Sequence, residues 1–329
     1  MMAEVLALLY TAGLASSLVI VCVLLLRAHL RHLFGPAVAY AAWFTVPVAL
    51  LALLMPAASD AVLPARNAIF VSADDLIVSV TTSTSGIASG LFTIWLGGAL
   101  LCAAVLLLRQ LQFVRSLGAL RVHEGLAYTP RTAVGPVVVG LIRPLIVLPA
   151  DFYSRYTPDE QALILAHERM HLRRGDLIAN AVWSAIRCLL WFNPLTHVAT
   201  GRYRFDQELA CDANTLKDPG RSRKTYATAM LKTLLPDSSA PVSSSWQASH
   251  PLQQRLLGLK ASPLSAPRRI LGHVLVGLLL GLLGYGAWGV QPAAAYRLAT
   301  QQPAAAMCPL EAKELSVDGR ARRSAPQPF

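Results

Sequence analysis

The apolar residues of this chain fall in long blocks rather than short periods. Four uncharged stretches, 5–26, 35–55, 86–108 and 270–290, hold about 21 to 23 residues each, enough at about 1.5 Å per residue to cross a hydrocarbon core of about 30 Å. They predict four transmembrane helices. After the third, residues 109–121 continue a helical pattern. The run 136–148, PVVVGLIRPLIVL, is then β-branched and interrupted at Gly140 and Pro144, which predicts a short hairpin or edge strand. Thr157-Pro158-Asp159-Glu160 is a capping box with proline at the first helical position, so a helix should begin there and run to about Arg174. A second helix is expected over 177–192, ended by Asn193-Pro194, and a third over about 195–216.

Composition agrees with the pattern. The 329 residues are 54% hydrophobic and 14% charged, with a mean hydropathy of +0.48, against roughly 25% charged in an ordinary soluble protein. The composition argues against both a disordered chain and a simple cytosolic enzyme. The net charge of +11 is explained first by the Lys and Arg that gather in cytoplasmic loops, so membrane lipid is an expected partner and direct contact with nucleic acid is not expected. Arg27 and Arg31 follow the first stretch with no acid beside them. Residues 109–269 hold 21 Lys and Arg against 11 Asp and Glu, while the loop 56–85 holds one Arg against three Asp. The long segment is therefore expected on the cytoplasmic side and both termini outside, with the first stretch a retained anchor because Glu4 precedes it and the basic residues follow. Residues 291–329, rich in Ala, Pro and Gln, are expected to be a disordered extracytoplasmic tail. Five cysteines without a CxxC spacing support no disulfide framework and no four-cysteine zinc site.

The chemistry concentrates in the capped helix. His167-Glu168-Arg169-Met170-His171 is an HExxH pattern. Imidazoles four residues apart share a helix face where two neutral nitrogens can bind one zinc ion, and the glutamate between them is placed to handle the proton of an activated water. A catalytic zinc takes three protein ligands, so a third is needed. His197, Asp206, Glu208, Cys211 and Asp212 are the downstream candidates, all in or near one expected helix. Glu208 and Asp212, four apart, share a face, so one can bind metal while the other orients a ligand histidine. Spacing alone leaves the choice open.

Three blocks, HERMHLRRGD at 167–176, WFNP at 191–194 and RFDQELACD at 204–212, together with the GP, VG and IVLP elements between Gly135 and Pro149, resemble the BlaR/MecR family of membrane metallopeptidases, the antirepressors of β-lactam resistance. The resemblance covers roughly residues 1–290. It implies a mainly α, multi-pass protein: three membrane helices and an outer loop in 1–110, a cytoplasmic gluzincin-like zinc-metallopeptidase domain at 111–269 with a small β-hairpin, and a fourth membrane helix at 270–290 in the bacterial inner membrane. It further implies that Glu208 is the third zinc ligand beside His167 and His171, that Asp212 supports a ligand histidine, that Glu168 is the catalytic base, and that the substrate is a winged-helix repressor of the BlaI/MecI type, with self-cleavage as a companion reaction. The family's antibiotic sensors carry a large penicillin-binding domain after the last helix. Here 39 residues follow Val290, so sensing of β-lactams in that way is not expected. The competing readings are a protease of membrane-protein quality control and a non-catalytic transducer with a structural metal.

Lesser features extend this reading. Tyr203, Arg204 and His197 are candidates to stabilise an oxyanion. Residues 177–192, with Arg187 inside, are expected to pack on the catalytic helix or lie at the membrane surface rather than cross it. Residues 137–147 read as a plain structural hairpin or as an edge strand for an extended substrate, and Arg268-Arg269 reads as an inside anchor for the last helix ahead of a self-cleavage site.

Overall fold

A computed structural model describes residues 2–55, 84–132, 134–218, 220–234, 245–260 and 264–289. The tail at 291–329 and all but the last two residues of the loop 56–85 lie outside the described residues.

The chain opens with α1 (Met2–Phe34), which carries the first apolar stretch and runs on past Arg27 and Arg31. Gly35, at φ +99, reverses the chain, and Pro36 at the next position starts α2 (Pro36–Ala41). A 3-10 turn at Ala42–Phe44 joins it to α3 (Thr45–Ala52). Pro47 accounts for this break: it has no N–H for the carbonyl one turn earlier, and its ring crowds that carbonyl, so the backbone tightens before it. Next comes α4 (Thr84–Ser116). Among the described residues, three helices are long and apolar enough to cross a membrane: Glu4–Phe34, Gly86–Ser116 and Ala266–Trp288, the last within α11 (Ala266–Gly289). The second apolar stretch differs from expectation. It is the shorter helix pair Pro36–Ala52, with Val38, Tyr40, Trp43 and Val46 buried against its neighbours.

Beyond α4 lies a four-stranded sheet where the sequence predicted a hairpin alone. Its strands are β1 (Arg121–His123), β2 (Leu126–Thr129), β3 (Val137–Val139) and β4 (Leu145–Pro149), in the order β1-β2-β4-β3. β3 and β4 form the expected antiparallel hairpin, which leaves β3 at an edge. β2 adds parallel to β4, and β1 antiparallel to β2 through a turn with Glu124 and Gly125 at positive φ. Ile146 and Leu148 of the central strand pack with Phe152, Tyr156 and Ile164, while Val147 and Ala127 face Leu117 at the end of α4.

The short α5 (Phe152–Arg155) leads to α6 (Pro158–Arg174), whose capping box forms as the sequence dictates. Thr157 Oγ1 accepts from Glu160 N at 3.4 Å, and Thr157 N donates to Glu160 Oε2 at 2.9 Å. Gly175, at φ +68, ends α6 in the left-handed conformation and turns the chain into α7 (Asp176–Leu189). Asn193 caps α8 (Pro194–Thr215) by accepting from Leu195 N at 3.0 Å. α9 (Arg223–Leu234) and α10 (Ser245–Gly258) precede α11. The largest core is shared by α1, α2, α3, α7, α8 and α11, and at its centre the rings of Trp183 and Tyr203 stack at 4.8 Å with Trp43 edge-on to Trp183. Of the helices that bear the chemistry, α8 is thus packed into the apolar bundle, while α6 buries Leu163 and Ile164 against α9 and the sheet side and meets the bundle through α7 and α8.

Candidate metal centre

α6 presents its two histidines toward α8. The His167 and His171 Nε2 atoms are 3.2 Å apart. From α8, Glu208 places Oε2 at 3.5 Å from His167 Nε2 and Oε1 at 3.6 Å from His171 Nε2. Two nitrogens each about 2.0–2.1 Å from a tetrahedral zinc ion stand about 3.3 Å apart, so the spacing of this donor set fits such an ion.

The outer nitrogens are already engaged. His171 Nδ1 lies 2.7 Å from Asp176 Oδ2, and the other oxygen of Asp176 accepts from the Tyr40 hydroxyl at 3.1 Å. His167 Nδ1 lies 2.7 Å from the Tyr226 hydroxyl, which itself donates to Asp212 Oδ1 at 2.7 Å. Asp212 Oδ1 is also 3.3 Å from His167 Nδ1. With each Nδ1–H donated outward, both Nε2 atoms face the same spot, where the neutral rings can offer their lone pairs to a cation. Asp212 is in turn held by two Arg255 bonds of 2.8 Å each, and Arg255 Nη1 stands 3.2 Å from Glu208.

Burial and charge set the basicity of these groups. Burial raises Glu168 above the ordinary glutamate range, partly opposed by the two histidines. Burial also pushes Glu208 up, but the His167 contact and the Arg255 and His171 charges outweigh it and hold its carboxyl down at about 2. For His171 burial works downward, and the Asp176 carboxylate overrides it, raising the imidazole to about 10.

The downstream candidates separate. Glu208 and Asp212 come to the histidines. Cys211 also lies close, its Sγ and the two histidine nitrogens all within 4.8 Å of one another, although the thiol donates to the His167 carbonyl oxygen at 3.4 Å. Asp206, fully buried, turns the other way, toward Arg27 at 2.9 Å, Arg31 at 3.3 Å and the Trp43 indole at 2.9 Å. His197 sits near the start of α8, its Nε2 2.9 Å from the Trp191 carbonyl oxygen. Tyr203 is buried under Trp183, so among the three oxyanion candidates only Arg204 lines the cleft.

Sequence reasoning gave no role to Asp176, Tyr226, Arg255 or Tyr40. Asp176 stands five residues after His171 inside the quoted block, and the helix break at Gly175 is the signal that folds it back. The other three arrive from elements with no motif. The cleft over the histidines encloses about 660 Å³ and is walled by Glu168, by Val137 and Val138 of the edge strand, and by Phe205, Met230 and Leu252. A buried base, a cation-ready donor set and an edge strand along one groove together suit hydrolysis of an extended polymer with amide links.

The profile of the family described as BlaR1 peptidase M56 matches residues 7–259. Among curated proteins the chain is similar to the regulatory protein BlaR1 of Bacillus licheniformis, at 29% identity over 164 residues, 44% of this chain and 27% of that protein. It is also similar to the methicillin resistance mecR1 protein of Staphylococcus aureus, at 27% identity over 180 residues, 48% of this chain and 31% of that one. The chain thus matches less than a third of the length of each of these relatives.

Proposed function

The chain belongs to the BlaR1 peptidase M56 family, and from that membership we propose that it is a membrane zinc endopeptidase that transmits a signal by cutting a cytoplasmic regulator. The observation that carries the reading is the donor set itself: two Nε2 atoms 3.2 Å apart, faced by both oxygens of Glu208, with Glu168 in the same cleft.

In this reading His167, His171 and Glu208 hold the ion, which supplies the Lewis acidity that activates water and the scissile carbonyl. Glu168 takes the proton of the attacking water and hands it to the leaving amine, and its burial makes it a stronger base for the purpose. Asp176, Tyr226 and Asp212 fix the tautomers of the two histidines. β3, the free edge of the sheet, aligns an extended peptide along the groove. The substrate class is a winged-helix repressor of the BlaI/MecI type, with the chain itself as a second substrate. The membrane is the bacterial inner membrane, with the centre on the cytoplasmic side and both termini outside. Pro36–Ala52, at about 25 Å, makes the fourth crossing, sheltered by α1, α8 and α11.

The test is direct. Purified wild-type protein with zinc cleaves the repressor, and the Glu168→Ala protein binds the same amount of zinc without cleaving. Equal cleavage by both ends the proposal. Turnover of many unrelated unfolded membrane proteins assigns the same chemistry to quality control instead.

A further inference from the structure

We propose that α7 and the first half of α8 form a re-entrant hairpin, entering the bilayer from the side of the metal centre, turning back at mid-depth at 190–193, and exposing its outer face to lipid acyl chains. The inference rests on the membrane placement of α1 and α4 and not on the peptidase reading.

Two independent rulers give the depth. On α1 the apolar run ends at Arg27, and Asn193 at the hairpin tip donates to Ser17 Oγ at 2.9 Å and to the Gly13 carbonyl at 3.4 Å. Ser17 lies ten residues before Arg27, about 15 Å along the helix and so about halfway through a core of about 30 Å. On α4 the apolar run ends at Arg109. The Trp95 indole donates to the Leu189 carbonyl at 2.9 Å, the Trp191 indole donates to the Trp95 carbonyl at 3.0 Å, and a Cβ on Gly98 would fall 2.2 Å from the Trp191 ring. Gly98 and Trp95 are 11 and 14 residues from Arg109, about 16 to 21 Å. Both rulers put the tip near the midplane.

Irregular backbone survives at that depth only if its polar groups find partners in the protein. Much of the tip is paired in this way: the Leu189 carbonyl takes Trp95, the Leu190 carbonyl takes Asn193 N at 2.9 Å, the Trp191 carbonyl faces His197 Nε2 at 2.9 Å, the Asn193 carbonyl takes Thr196 Oγ1 at 2.8 Å, and the Asn193 side chain binds Ser17 and Leu195 N. The outer surface of α7 supplies a third, separate observation. Its exposed positions are Ile178, Val182, Ala185 and Leu189, spaced four, three and four, a wholly apolar stripe, and Val198 continues it onto α8. Water is a poor solvent for that face and acyl chains are a good one. Within 177–201 the single Asp, Glu, Lys or Arg is Arg187, which is half-buried within the protein and not part of the exposed stripe.

The geometry has a consequence for the site. Asp176 heads the hairpin and Glu208 follows it on α8, so the donor set stands close to the headgroup layer. Asp206, paired with Arg27 where the apolar run of α1 ends, marks the same boundary.

Full-length wild-type protein in phosphatidylcholine vesicles provides the test, with two photoreactive lipids, one carrying a diazirine at the acyl chain end and one carrying it beside the headgroup. After irradiation, the expected result is chain-end carbene on peptides holding Leu189 and Val198, at least fivefold above the headgroup-proximal reagent, with α4 peptides as the internal standard. A tip marked by the headgroup-proximal reagent overturns the proposal, since both a surface helix and a complete crossing give that result. So does an unmarked hairpin beside a marked α4. No turnover is needed, so a failure here is separate from a failure of the peptidase reading.

Discussion

His171 Nδ1 and Asp176 Oδ2 lie 2.7 Å apart across the break between α6 and α7. That contact makes the carboxylate, 1% exposed, the orienting partner of one imidazole of the candidate metal centre, and it passes the constraint on to Tyr40 on α2. The candidate centre is therefore built partly by a helix from the apolar N-terminal third of the chain.

Replacing Asp176 by Asn keeps the shape but puts an amide N–H toward one of two donors, His171 or Tyr40. The expected outcome is a zinc affinity about 10- to 100-fold weaker, measured by competition with a chromophoric chelator, with the helical circular dichroism unchanged. Tyr40→Phe leaves the His171 contact with Asp176 in place while removing the Tyr40 bond to Asp176 and the bond its hydroxyl accepts from Gln207 Nε2 at 2.9 Å, and its loss of zinc affinity should be smaller than that of Asp176→Asn. An Asp176→Asn protein with wild-type affinity removes Asp176 from the centre.

Asp212 is expected to matter for folding as much as for metal. It is 2% exposed and receives two Arg255 bonds and the Tyr226 hydroxyl. Asp212→Ala strands the Arg255 guanidinium beside Glu208 alone, and breaking a buried pair costs about 3–5 kcal/mol. The melting temperature of the metal-free protein in detergent should fall steeply. Tyr226→Phe lets Asp212 approach His167 directly and should cost about 1 kcal/mol. If Asp212→Ala melts like wild type, the network is ornamental.

The sequence stated the part of this site that has a period. HExxH, the capping box and the four-residue spacing of Glu208 and Asp212 are all local, and helix geometry converts them into faces without tertiary information. The β1–β2 pair escaped notice because RVHEGLAYT, 121–129, lacks a β-branched run and gains its place only by pairing with β4. Tyr226 and Arg255 reach the centre from α9 and α10 by packing, which no spacing encodes. Residues 177–192 read from sequence as a helix that packs on the catalytic helix or lies at the membrane surface rather than as a crossing, and length alone does not supply its pairing with the helix that follows.

Gly98 tests that pairing without touching the metal. A Cβ there would stand 2.2 Å from Trp191, whereas one on Gly97 meets nothing within 4 Å. Gly98→Leu should destabilise by about 1–3 kcal/mol through overpacking, while Gly97→Leu leaves the melting temperature nearly unchanged. Equal melting of the two variants would mean that Trp191 does not dock on α4.

The start of α6 carries a pH dependence whose sign is fixed. Burial acts to raise the Glu160 carboxyl, but Lys232 Nζ at 2.7 Å and the Thr157 backbone N–H outweigh it, so its folded pKa lies below the ordinary glutamate value. A group depressed by folding stabilises the native state above its unfolded pKa, near 4.3, and loses that contribution as the pH falls through the folded value. Lys232→Met takes away the charged partner and leaves the capping box. Because the Lys232 side chain is 36% exposed, the pair is screened and the expected loss is about 1 kcal/mol or less. That amounts to a melting temperature lower by about 2–4 °C at pH 7. The gap between wild type and variant should hold from pH 7 down to about 5 and close below about 4, as Glu160 takes up its proton in both proteins. A gap that widens in acid would reverse the sign argued here and assign the stabilisation of α6 to some other contact.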